Sequence, residues 1–292
     1  SMGSRELGAR GLARFKEELT ALGWKERSQV VFEARWAEGQ ADRLPSLIKE
    51  LAAMKPAVIV ATATVAVVDA AKRAPNVPIV MTGGGDPVAA GLAASLARPG
   101  GMVTGITGLT TDLSEKYLEL LLAAAPKVKR VGFLGYADNP NRARLMDAVR
   151  RSVAQYAIEV RIAEVGKVEE IEPALSRLAK EGAQALVTLP GAIFATERRR
   201  IVKLALAQRW PFIAGARVWA EDGALLSYGA DTFANFHRAA WYVDRILTGA
   251  KPGDLPIEQP TKFELVVNMK TAKALGLTIL PSIMVQATRV IE

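Results

Sequence analysis

The sequence holds no cysteine and a single histidine, His237, among its 292 residues. The first absence excludes disulfides, thiolate metal sites and cysteine nucleophiles. The second removes the usual multi-histidine zinc sites. Aromatic residues make up only 6% of the chain, too few for a base-stacking platform. Apolar runs such as Pro56 to Val68 are too short, or too broken by Thr and Asp, to supply the roughly 20 residues of a membrane span. No serine stands in a nucleophile-elbow pattern. Ser1-Met2 reads as a remnant of expression, and no basic segment followed by an apolar one leads the chain. The chain as given therefore reads either as cytoplasmic or as an exported protein without its signal.

Half of the residues are apolar and 23% are charged, the balance of an ordinary globular protein. The length allows two lobes of about 100 to 150 residues each. The net charge of +8 is spread along the chain. Its densest run, Arg198-Arg199-Arg200 with Lys203, alternates with Ile201, Leu204 and Ala205 at helical spacing. That is the pattern of a solvated helix face rather than of a nucleic-acid patch.

Periodicity gives an alternation of strands and helices. Leu12, Phe15, Leu19 and Leu22 stripe a first helix ending near Gly23. Strands are expected at Gln29 to Arg35, Ala57 to Ala61, Pro78 to Thr82 and Met102 to Thr107, with helices at Leu44 to Met54, Val65 to Arg73 and Val88 to Leu96. A helix at Leu113 to Ala124 follows and the pattern restarts. Strands at Arg130 to Leu134, Glu159 to Glu164, Ala185 to Leu189, Pro211 to Ala214 and Ala224 to Tyr228 alternate with helices at Asn141 to Tyr156, Val168 to Lys180, Phe194 to Gln208 and near Val218. A helix striped by Phe233, Phe236, Ala240, Val243 and Leu247 breaks the alternation, then a strand at Phe263 to Asn268 and a short helix at Thr271 to Leu275. Such an order calls for doubly wound parallel sheets.

The chemistry-bearing candidates lie at strand ends, where α/β proteins place ligands. Thr62, Ala63 and Thr64 follow a strand and open a helix, so their N–H groups and hydroxyls suit an anion, or else simply cap the helix. Gly83-Gly84-Gly85-Asp86-Pro87 ends the next strand. It lacks the Lys-Ser/Thr of a phosphate loop and the spacing of a dinucleotide fingerprint; Asp86 and Pro87 read as a cap and a first helical residue that also border a site. Asp138-Asn139-Pro140-Asn141, with Asn139 as the cap, and Pro190, Gly191 and Ala192 repeat the arrangement later in the chain. Trp219, Tyr228, Tyr136 and Phe194 are candidate aromatic walls, or else core residues. His237 reads as a packed residue of its helix. Asp86, Asp112, Asp138, Glu221 and Asp222 form no pair of fixed spacing, so no catalytic residue, cofactor or metal site is assigned.

The segments WAEGQADRLPSLIKELAAMKPAVIVATAT, GGGDPVAAGLAASLARPGGMVTGIT, LLSYGAD and LPIEQPTKFELVVNMKTAKALGLTILPS closely resemble the ABC-transporter substrate-binding proteins related to bacterial tryptophan-binding and tyrosine-binding proteins. The resemblance runs from about Gly11 to the C-terminus. It implies a type I periplasmic-binding-protein fold, in which two doubly wound parallel-sheet lobes are joined by three crossovers near Thr107 to Thr111, Tyr228 to Asp231 and Pro256 to Pro260. The implied lobes are residues 1–109 with a return segment near 232–256, and residues 110–229, with 230–292 shared. It further implies that Thr62, Ala63 and Thr64 hold a ligand carboxylate, that Gly85 and Asp86 border the same lobe, and that Asn139, Pro190, Gly191 and Ala192 face them, with Tyr228 near a crossover. The implied function is capture of a small ligand, an amino acid or aromatic carboxylate, in the periplasm or cell envelope, and its delivery to an ABC permease and ATPase. The alternatives are a ligand-sensing regulatory domain of the same fold and an α/β enzyme.

One departure from the family stands out. Its chains begin with a short apolar strand before the helix matched by Gly11 to Leu22, and here that strand is missing. In a sheet of order 2-1-3-4-5 it would lie between Gln29 to Arg35 and Ala57 to Ala61. The expectation is therefore another segment in its slot, with exchange within a homodimer as one route, or else a rearranged lobe.

Overall fold

The computed structural model describes residues 1–108, 113–139 and 141–292, with the backbone alone of Ala192. Most of the first expected crossover, Asp112 and Pro140 lie outside the described residues. The chain divides into two compact units, Ser1–Leu109 with Thr232–Pro260, and Thr110–Asp231 with Thr261–Glu292.

The first unit opens with α1 (Arg5–Ala21), capped by Ser4, whose side chain accepts from Leu7 N–H. Next come α2 (Leu44–Ala53), β1 (Ile59–Ala61), α3 (Thr64–Arg73), β2 (Ile79–Thr82) and β3 (Val103–Ile106). Every residue of β2 and β3 is buried, as parallel strands covered on both faces should be. Gly105 is obligatory in this packing. Its φ is +117°, and a Cβ there would stand 2.3 Å from the carbonyl oxygen of Met81.

The second unit follows with α4 (Leu113–Ala124), β4 (Arg130–Tyr136), α5 (Arg142–Val153), β5 (Glu159–Val165), α6 (Ile171–Lys180), β6 (Ala185–Thr188), α7 (Ala192–Thr196), α8 (Arg198–Ala207), β7 (Phe212–Ala214), α9 (Arg217–Glu221) and β8 (Leu226–Ala230). The chain then rejoins the first unit through α10 (Thr232–Leu247) and β9 (Ile257–Glu258). It ends in the second with β10 (Phe263–Asn268), α11 (Met269–Leu275), α12 (Pro281–Gln286) and β11 (Arg289–Ile291).

The sheet of the first unit runs β1-β2-β3-β9, all parallel. That of the second runs β11-β10-β8-β7-β6-β4-β5, parallel except where β10 meets β8. Neighbouring strand residues point to opposite faces, so Phe133 and Leu134 enter two different apolar clusters of the second unit. In the first unit, Phe15 and Leu19 of α1 pack with Val80, Ile106 and Tyr242.

Three expected elements differ. Val88 to Leu96 forms turns, because one helical turn closed by Leu92 N–H to Pro87 O runs into Gly91 at φ +69°. The helix expected from Phe194 to Gln208 divides at Glu197, with Arg198 drawn inward to Asp222; the arginine run is thus solvated only in part. Gln29 to Arg35 forms no ladder. Its exposure still alternates, Val31 and Glu33 outward and Val30, Phe32 and Ala34 less exposed, but no described segment lies in the slot beside it. An extended chain without a ladder partner is not a strand.

Candidate functional site

In the first unit the carboxyl ends of β1 and β2 meet the start of α3. Ala63 occupies the N-cap position at φ 70°, ψ 144°, a region that residues other than glycine rarely enter and that costs about 1–3 kcal/mol. The first turn of α3 carries no acidic side chain, and its last turn carries Lys72 and Arg73. The partial positive charge of the helix start is therefore left for an anion. Thr64 is buried, and its hydroxyl accepts from Gly85 N–H at 2.7 Å. Thr107 Oγ1 donates to Gly85 O at 2.7 Å, and Gly108 N–H to Gly84 O at 2.7 Å. A Cβ on Gly84 would stand 2.9 Å from the Thr64 nitrogen, so the glycine run is what lets this loop lie against the helix start.

Thr62 pairs its hydroxyl with Ser1 Oγ at 2.7 Å. Asp86 is an N-terminal cap, accepting from Val88 and Ala89 N–H. Asn235 of α10 donates to Thr82 O at 3.3 Å, while the buried Thr82 hydroxyl has no partner among the described residues. Thr82, Thr107 and Asn235 escape sequence reading. Asn235, a buried polar residue inside the α10 stripe, was the one detectable signal.

In the second unit the turns after β4 and β6 are tied together, Asn139 Nδ2 donating to Pro190 O at 2.9 Å and its Oδ1 accepting from Asn141 N–H. Asn141, not Asn139, takes the cap position of α5. Gly191 lies beneath Tyr136 and Phe194, where a Cβ would stand 2.9 Å from the Tyr136 Cβ. Ala192 opens α7. Tyr228 stacks on Phe263 with ring centres 5.7 Å apart and stays half-buried.

The other aromatic candidates are core residues. Trp219 packs edge-on against Phe212, centroids 5.4 Å apart, and is buried together with Tyr136 and Phe194. The sequence did not single out Tyr117 of α4, a fully buried residue whose hydroxyl has no partner among the described residues. Burial pushes that hydroxyl above its ordinary pKa, and Tyr228 adds to the effect.

His237 is exposed and lies 2.7 Å from a Glu18 carboxylate oxygen, so it is a surface residue and not a packed one. Glu221 and Asp222 are held by arginines, Glu221 by Arg217 and Arg289, Asp222 by Arg198 and Arg199. Among the described residues no group of three or more His, Cys, Asp or Glu could hold a metal ion. None of their helices is long and apolar enough to cross a membrane.

Both units thus present small, polar or strained backbone at strand ends. The family model for ABC transporter substrate binding proteins matches residues 9–291. The chain belongs to this family. A tyrosine-binding protein of Clostridioides difficile (strain R20291) is 26% identical to this substrate-binding chain over 263 residues, 90% of it and 75% of the relative. A conserved domain protein from Vibrio cholerae O1 biovar El Tor superposes with TM-score 0.92 and 26% identity, covering 99% of this chain and 97% of that one. The ABC domain from Streptococcus pneumonia in complex with L-Trp superposes with TM-score 0.91 at 24% identity and the same coverage. Together they establish the type I periplasmic-binding-protein fold.

Proposed function

We propose that this substrate-binding protein captures an amino acid or aromatic carboxylate outside the cytoplasmic membrane and passes it to an ABC permease driven by its ATPase. The observation that carries the reading is the strained turn at Ala63. Strain of this kind persists where the surroundings over-determine it, and it clusters at binding sites. Here it faces the start of α3 with no acidic side chain in the first turn, which favours a carboxylate. Thr62, Ala63 and Thr64 are its anchor, with Gly85 and Asp86 beside them. Asn139, Pro190, Gly191, Ala192 and Tyr228 are the contacts contributed by the second unit, and Trp219 supports them from its core. The tyrosine-binding relative and the L-Trp-bound structure point to the same ligand class.

Thermal shift and calorimetry with L-tyrosine, L-tryptophan, tyramine and tryptamine test the reading. The amino acids are expected to raise the melting temperature with concentration, and the amines, which lack the carboxylate, to bind at least tenfold more weakly. Equal binding of amines and amino acids, or stabilisation by sugars alone, would sink the carboxylate anchor.

A further inference from the structure

The first turns of α4 bury two hydroxyls that nothing satisfies. Ser114 and Tyr117 are each 1% exposed, and neither Ser114 Oγ nor Tyr117 OH has a hydrogen-bond partner among the described residues. They stand three residues apart, which puts them on one face of the helix, one turn above the other. Native folds pair nearly all of their buried polar side chains, because an unpaired one keeps the cost of leaving water and gains nothing in return. Two such groups on one helix face need a reason.

Their place in the second unit supplies one. α4 packs on β7 and β8. β7 stops at Ala214, which pairs with Ser227 of β8, so Gly215, the first residue past the strand, comes level with Tyr228. A Cβ on Gly215 would stand 2.7 Å from Tyr117 OH, so the hydroxyl lies directly behind that glycine. Gly215 and Tyr228 are both partly exposed. The hydroxyl is thus one glycine deep at the carboxyl end of a parallel strand, where α/β sheets take their ligands. Beside it, Tyr228 stacks on Phe263 with ring centres 5.7 Å apart and planes 17° from parallel. Tyr228 pairs with Leu265, and both pack in the apolar cluster that holds Tyr117. A flat aromatic surface and two unpaired neutral hydroxyls therefore share one face of the sheet.

We infer that Tyr117, with Ser114 beside it, selects a ligand whose aromatic ring carries a neutral O–H or N–H group, and that Tyr228 and Phe263 offer that ring its wall. A hydroxyl both donates and accepts, so Tyr117 can take the proton of a phenol or of an indole. A charged ligand end is disfavoured, since its burial against hydroxyls alone costs more than their hydrogen bonds return. A bare ring is disfavoured too, because it covers the hydroxyls and leaves them unpaired. Burial, reinforced by Tyr228, pushes the Tyr117 hydroxyl up, so it stays a neutral partner at physiological pH. The inference rests on the proposed capture of an aromatic amino acid and goes further, choosing among the aromatic side chains and naming the residue that chooses.

Calorimetry with L-tyrosine, L-tryptophan and L-phenylalanine tests it, on the purified 292-residue chain and on the variants Tyr117→Phe and Ser114→Ala. In the unchanged chain L-tyrosine or L-tryptophan is expected to bind at least roughly tenfold tighter than L-phenylalanine; preference for the first assigns a phenol, for the second an indole N–H. Tyr117→Phe should bring that ratio to within about twofold and Ser114→Ala should lower it several-fold. Both variants remove an unpaired buried hydroxyl, so without ligand they should melt at or above the temperature of the unchanged chain. If Tyr117→Phe does not fold, the ratio in Ser114→Ala decides. Equal binding of the three amino acids overturns this inference and leaves the proposed function standing, whereas failure of all three to bind overturns both. A ratio that neither variant changes also overturns it, and would mean that buried water satisfies the two hydroxyls.

Discussion

Ala63 and Ser1 are two residues where local physics opposes the fold. Ala63 holds φ 70°, which glycine adopts without a side-chain clash. Ala63→Gly is expected to stabilise the chain by about 1 kcal/mol in chemical denaturation, the strain relieved exceeding the extra entropy of the unfolded glycine. If the variant is instead destabilised, the strain is not where the backbone angles put it. The Ser1 amine carries a pKa lowered by burial from 8.0 to about 6. The neutral form is favoured in the folded state, so between those values the unfolded chain binds more protons and stability rises with pH. The gain from pH 6 to pH 8 is about 2 kcal/mol, most of what the two-unit shift is worth, and it should vanish when the Ser1 amine is acetylated. Stability that is flat over this window in the unmodified chain would count against the buried amine. The candidate residues were legible at this scale where small or polar residues end a strand, as at Gly84 and Asn139. Tyr117 was not, because burial of one hydroxyl depends on neighbours such as Gly215 that lie far along the chain.

Elements were legible wherever an apolar stripe had a partner to bury against. α2, α3, α4 and α10 lie close to where the periodicity puts them, since α3, α4 and α10 pack on strands of a sheet and α2 packs on α3. Val88 to Leu96 has the composition of a helix but meets Gly91 at positive φ, and Gln29 to Arg35 has the alternation of a strand but no ladder among the described residues. β9 is short, two residues, and is latched by Arg238 of α10, which makes a bidentate contact with Glu258 while its guanidinium lies 3.9 Å from the centre of the Trp241 ring. The Arg238 hydrogen bonds hold the Glu258 carboxyl below its ordinary pKa. Its contribution is therefore complete above the ordinary carboxylate range and is lost as pH falls through the lower folded value. Glu258→Gln should cost about 0.5–1 kcal/mol at neutral pH, the pair being partly exposed, and should flatten the acid limb of the stability curve. An unchanged acid limb in the variant would dissociate β9 from this latch.

At the scale of the whole molecule, the two units carry separate cores and separate sheets. Phe133, fully buried in the sheet of the second unit, is expected to cost about 3–5 kcal/mol when changed to alanine. Amide exchange should then accelerate in β4, β5 and β6 first. Acceleration confined to the first unit would contradict the division. Composition, periodicity and strand-end motifs by themselves determined an α/β chain of two doubly wound lobes, because burial of apolar faces repeats at periods that a sequence displays. Only the tertiary structure decided that Trp219 is core and that Thr64 and Asn139 spend hydrogen bonds on neighbouring turns. Each of these depends on which distant backbone groups find partners, and hydrogen-bond pairing between remote segments leaves no period in the sequence.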